Sequence, residues 1–168
     1  MNILISAYVC NPKKGGEFQK GWHLCLELSK YGHSIWCITN EWGKENILDE
    51  LKKLDFEIVD RVNFIFVEVP VIVEKMYIND FGVYFHYLVW QNRAYKTAKK
   101  LVKKISFDVV HHISYGSIQL GSGLYKLSVP MIFGPVGGGQ FPQPNYKAYF
   151  HGNWNREMQR KLLGKLLV

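Results

Sequence analysis

The chain lacks most of the short motifs that announce a chemistry. It has no Asp-x-Asp, no HExxH and no Cys/His set at zinc spacing, so metal-assisted catalysis has no visible ligands and no metal is expected. It has no GxGxxG and no Gly-Lys-Ser/Thr loop, which removes the dinucleotide fingerprint and the Walker A loop. The GxSxG elbow, the nucleophile turn of the α/β-hydrolases, is missing too. Cysteine is scarce: Cys10, Cys25 and Cys37 are odd in number and show no CxxC, so reduced thiols in a cytoplasmic protein are expected. No apolar run approaches the ~18 residues of a membrane span, and Met1 to Tyr8 is too short for a signal peptide. Acid is under-represented, with 14 Asp and Glu against 21 Lys and Arg, a net charge of +7. That balance suits acidic partners without choosing among phosphates, anionic lipid and nucleic acid.

What is present reads as one α/β domain. The 168 residues are 48% hydrophobic and 15% aromatic, enough to bury a full core. Continuous apolar runs predict buried strands at Asn2 to Tyr8, Ser34 to Thr39, Val62 to Val69, Asp108 to Ile113 and Pro130 to Phe133. Between them, helices are expected at Glu17 to Tyr31, Asn46 to Leu54, Phe81 to Ile105 and Ser117 to Leu127. In the first, Phe18, Trp22 and Leu26 share a face, Glu17 and Lys30 complement the dipole, and Gly32 is a left-handed cap. This alternation predicts a Rossmann-like, doubly wound parallel sheet flanked by helices. The expected domain is 1–150. From Trp154 to Val168 an amphipathic pattern begins, expected to lead towards a further, C-terminal domain.

Ligands of such sheets sit at the C-terminal strand ends, so the loops there carry the candidate residues. Gly15-Gly16 precedes the first helix; it is either a plain turn or a close backbone approach to an anion at a helix N-terminus. Asp108-Val109-Val110-His111-His112 is followed by Tyr115-Gly116-Ser117. Adjacent strand residues face opposite ways, so one histidine can aim at a ligand while the other is structural. Gly134-Pro135-Val136-Gly137-Gly138-Gly139 follows a buried strand and offers bare amides for an anion nest.

Taken in order, these loops resemble glycosyltransferase family 4 on the GT-B fold. The similarity lies in Ala7-Tyr8-x-Cys10-x-Pro12-x-x-Gly15-Gly16-Glu17-x-x-x-Gly21-Trp22, in Asp108 to Ser117 and in Phe133 to Gly139. It implies the N-terminal half of a GT-B enzyme: an acceptor-side domain facing a second Rossmann-like domain that holds most of the donor. The implied reaction is retaining, metal-independent sugar transfer from a nucleotide-sugar to a glycan or lipid-linked acceptor, as in polysaccharide biosynthesis. By the resemblance, Gly15 and Gly16 contact the donor diphosphate and a strand-end histidine, His112 ahead of His111, approaches the transferred sugar. Glu17, Tyr115, Gly137, Gly138 and Gly139 fall to the acceptor side or cleft. No cofactor beyond the donor substrate is implied, and the half is expected to be inactive alone.

Other features have two readings each. Glu17 either orients an acceptor or only caps its helix; Trp22 is expected in the core. Arg93, Lys96, Lys99, Lys100, Lys103 and Lys104 stand in a stretch without acid between Phe81 and Phe107. This is either a solvated face or a peripheral contact with an anionic membrane, on the inner face. Val71 to Tyr87 is expected to be an acceptor-side loop. The rival function is a non-catalytic acceptor- or membrane-binding subunit pairing with a separate catalytic chain. Nucleic-acid binding has no recognised motif here.

Overall fold

A computed structural model describes residues 1–137 and 142–166. Its centre is an all-parallel sheet of β1 (Asn2–Ala7), β2 (Ser34–Thr39), β3 (Val62–Phe66), β4 (Val109–Ser114) and β5 (Met131–Phe133), in the order β3-β2-β1-β4-β5. The helices are α1 (Glu17–Lys30), α2 (Lys44–Leu51), α3 (Phe56–Val59), α4 (Val71–Glu74), α5 (Asp80–Leu101) and α6 (Trp154–Leu166). The α/β, parallel-sheet architecture is the one the alternating apolar pattern predicts.

Alternation along β1 divides the core. Ile3, Ile5 and Ala7 point to one face, where Trp22 and Cys25 of α1 pack with Cys37 and Ile47. Leu4 and Tyr8 point to the other, against Val73, Tyr87, Trp90, Ala94 and Ala98. Both faces of the sheet are therefore covered, as parallel strands require. Trp22 is core, and all three cysteines are buried free thiols on the α1 face. Gly32 ends α1 at φ 82°, with its amide donating to Ser29 O.

Two expectations are corrected. Residues 117–127 are not an α-helix: Gly121 turns at φ 57°, and only Gly123–Lys126 coil, as a 3-10 helix. Leu124 and Leu127 still enter the core, so their spacing was real but served an irregular connection. The Val71 to Tyr87 segment is not a loop, because it contains α4 and the first turns of α5. Asn79 accepts from Gly82 N and starts that longer helix earlier than expected.

Chain order reverses between β1 and β4. From β1 the chain steps outward through β2 to β3, then α5 carries it back to β4 on the opposite side of β1. The crevice between the C-terminal ends of β1 and β4 is the topological switch point. Strand β4 also carries one extra residue there: Ser6 pairs with His112 and Ala7 with Ser114. Such bulges re-aim side chains beside sites.

Candidate functional site

Three loops meet at this switch point. Tyr8 N donates to Ser114 O at 2.9 Å, closing the last rung between β1 and β4. Beyond it, Glu17 Oε1 accepts from Gly116 N at 3.3 Å, tying the first turn of α1 to the loop after β4. Gly116 O then accepts from Gly137 N, and Ile118 N donates to Gly137 O, tying that loop to the one after β5. A glycine is required at 116, since a Cβ there would stand 2.2 Å from Pro135 O. The ordered set Glu17, Tyr115, Gly116 and Gly137 is thus one structure. Gly138 and Gly139 lie outside the described residues.

Gly15 and Gly16 form the open side. Both are exposed, and a Cβ on either would meet nothing within 4 Å. Gly16 caps α1 at φ 65°, ψ −129°, with no side chain bonded to the first amides. L-residues rarely adopt that conformation. The free N–H groups of a 14-residue helix and the adjacent cations Lys13 and Lys14 make this end attractive to an anion.

The two histidines separate as strand geometry demands. His111 is half-buried, and its Nε2 donates to Gly134 O at 2.8 Å, holding the loop after β5. His112 is fully enclosed. Tyr115 O can only accept, so His112 Nε2 carries the proton towards it at 3.2 Å, with Tyr87 Oη 3.1 Å away. Nδ1 then accepts from Ser6 Oγ at 3.0 Å. Burial pulls the imidazole pKa down to about 4, against the Tyr115 carbonyl, which favours the charged form. His112 is therefore neutral at pH 7. In this arrangement it positions Tyr115 and presents no edge to the crevice.

Sequence reasoning missed the wall beside them. Tyr8 Oη lies 2.6 Å from His86 Nδ1, and His86 Nε2 lies 3.1 Å from Glu74 Oε1. The carboxylate selects the tautomer with its proton on Nε2, so Tyr8 donates to Nδ1. The Nε2 contact with the carboxylate is short but lies off the line of a hydrogen bond. Glu74 Oε2 also accepts from Trp42 Nε1 at 3.2 Å. Tyr77 and Tyr115 meet hydroxyl to hydroxyl at 3.3 Å. Burial first, and neighbouring phenols second, push the Tyr8 and Tyr115 hydroxyls well above the usual phenol range, so both remain protonated donors. One signal was available: His86, Tyr87, Trp90, Gln91, Ala94 and Ala98 share a helical face, which points His86 and Gln91 inward with the apolar residues.

The crevice can offer bare amides to an anion, and carboxylate, phenol and aromatic edges to a hydroxylated ligand. Among the described residues no three His, Cys, Asp or Glu side chains are grouped to hold a metal. No helix among the described residues is long and apolar enough to cross a membrane. Neither a family model, a curated protein nor a solved structure matches the chain.

Proposed function

We propose that this chain is the N-terminal, acceptor-side domain of a retaining, metal-independent glycosyltransferase of the GT-B kind. The observation that carries the reading is the hydrogen-bonded chain Glu17–Gly116–Gly137. It joins the three loops on which the family resemblance rests, and it leaves the Gly15 and Gly16 backbone open beside them.

In this reading the amides of Gly15, Gly16 and the first turn of α1 stabilise charge that grows on the leaving diphosphate. Glu17 and the Tyr115 hydroxyl orient an acceptor hydroxyl. His112 acts from behind as a positioning residue, fixing Tyr115 through its carbonyl. The donor's sugar and base are held by a second Rossmann-like domain, so transfer requires both halves.

Residues 1–168 alone are expected to turn over no nucleotide-sugar; measurable transfer by this chain would overturn the two-half reading. Gly16→Val replaces a left-handed glycine with a branched side chain aimed into open space. In a complete enzyme it should reduce kcat with the donor by roughly 10²-fold, the loss typical of one oxyanion donor. Unchanged kcat and donor KM would remove the glycine loop from the mechanism.

A further inference from the structure

The end of the sheet opposite the crevice has a cavity of its own. It is open, holds about 380 Å³, and lies between the end of α5 and the turns that lead into β4 and β5. We propose that this cavity is a second anion site, one that takes the diphosphate group of a soluble ligand.

Lys99 and Lys103 line it from the end of α5, and Lys126 from the turn before β5. Ser106 and Ser128 join them, and the buried Phe107 and Leu127 supply apolar lining. Pairing separates these lysines from others in the chain. Lys30, Lys44, Lys52 and Lys53 each meet an acid three residues earlier. Lys99, Lys103 and Lys126 meet no acid among the described residues. Asp108 is the single acid from Phe81 to Arg156, and its Oδ2 accepts from Asn2 N at 2.7 Å. Lys126 Nζ has the Tyr125 ring at 5.6 Å. The Ser106 and Ser128 hydroxyls make no hydrogen bond among the described residues. Three unbalanced cations and two free hydroxyls therefore share one cavity.

An ammonium group only donates, so the complement is an anion rich in acceptors. Lysine binds phosphate as a point charge, and the apolar lining strengthens the attraction by lowering the local dielectric. A phosphate monoester carries about −1.5 to −2 near pH 7. Three ammonium groups exceed that charge, and a diphosphate balances them. A concave site of this volume suits a small soluble group. The two anion sites are also well apart. Strand β4 spans six residues at ~3.3 Å each, which puts the cavity roughly 20 Å from the crevice end of the sheet. A ligand bound here leaves Gly15 and Gly16 free.

The test is a titration of ¹⁵N-labelled residues 1–168 with inorganic pyrophosphate at constant ionic strength, followed by amide shifts in NMR. Saturable shifts should appear at Ser106, Phe107, Ser128 and Val129. Lys99→Gln/Lys126→Gln should raise their Kd roughly 100-fold, about ten-fold for each charge-assisted bond. Lys52→Gln/Lys53→Gln removes the same net charge from paired lysines and should leave that Kd within about two-fold. All four side chains are exposed, and circular dichroism checks that the fold is kept. Equal losses in the two variants would reduce the binding to diffuse attraction by the +7 chain and overturn the site. Shifts confined to the crevice loops, or shifts that do not saturate, would overturn it too. Phosphatidylglycerol vesicles should not displace the pyrophosphate; displacement would make the ligand a lipid headgroup and contradict a soluble one. Shifts at Gly15 and Gly16 report on the sugar-transfer reading separately, so either site can fail without the other.

Discussion

The two faces of the sheet solve the same packing problem with different materials. The α1 face is filled with aliphatic residues, thiols and Trp22. The α5 face also has an apolar floor, but it buries Ser6, His86, Gln91 and His112 within it. Hydrogen bonds satisfy most of that polarity, while Trp90 Nε1 is buried without one. Buried polar groups cost stability unless they are paired. The α5 face carries more of that cost, where it meets the crevice; on the α1 face Ser29 is paired with Leu26 O, and Thr39 Oγ1 is buried without a partner among the described residues. The proposed role of the crevice as a binding site would account for the greater polarity of the α5 side.

The largest expected effect falls on the α1 face. Ile5→Ala should remove about 2–5 kcal/mol of stability, read from the urea midpoint, with little change across mild pH. A strongly pH-dependent loss would erase the contrast between the faces.

On the α5 face the effect should be pH-dependent. The folded pKa of His112 lies below its unfolded value of ~6.5, so the unfolded chain binds the extra proton first. Its contribution is complete above pH ~6.5 and is lost as pH falls through about 4, a drop of about 3 kcal/mol. The difference in unfolding free energy between parent and His112→Gln should show that slope. Parallel curves would place the acid sensitivity elsewhere.

Gly116→Ala sharpens the comparison at the loops. Its Cβ would meet the Pro135 backbone oxygen, so the loops after β4 and β5 must part. We expect a cost of about 1–3 kcal/mol; a neutral substitution would show that the loop contact is slack. Glu17→Gln is the mildest case. Replacing the charged acceptor of Gly116 N should cost under ~1 kcal/mol, yet it should weaken acceptor use in a complete enzyme. A stability loss with normal acceptor KM would leave Glu17 as a cap only.

The sheet was legible because each strand is a short apolar run between polar turns, and a parallel sheet buries both sides of its strands. The loops at the strand ends were legible from Gly15, Gly16, Gly116 and Gly137, whose backbone roles leave glycine in the sequence. Helices α3 and α4 were not, since four residues hold barely one turn and show no period. Leu120, Leu124 and Leu127 keep helical spacing in a segment whose path is set by Gly121 and by Ser117 pairing with Gly137. The Tyr8–His86–Glu74 wall was hidden because its members come from three separate segments. Only the return of α5 across the sheet brings them together.

The most direct test of the central claim is a titration of ¹⁵N-labelled protein with millimolar UDP, followed by amide shifts in NMR. Perturbations centred on Gly15, Gly16, Glu17 and Gly116 would support the switch-point crevice as the diphosphate site. Shifts confined to residues remote from these loops, or no shifts at all, would contradict it.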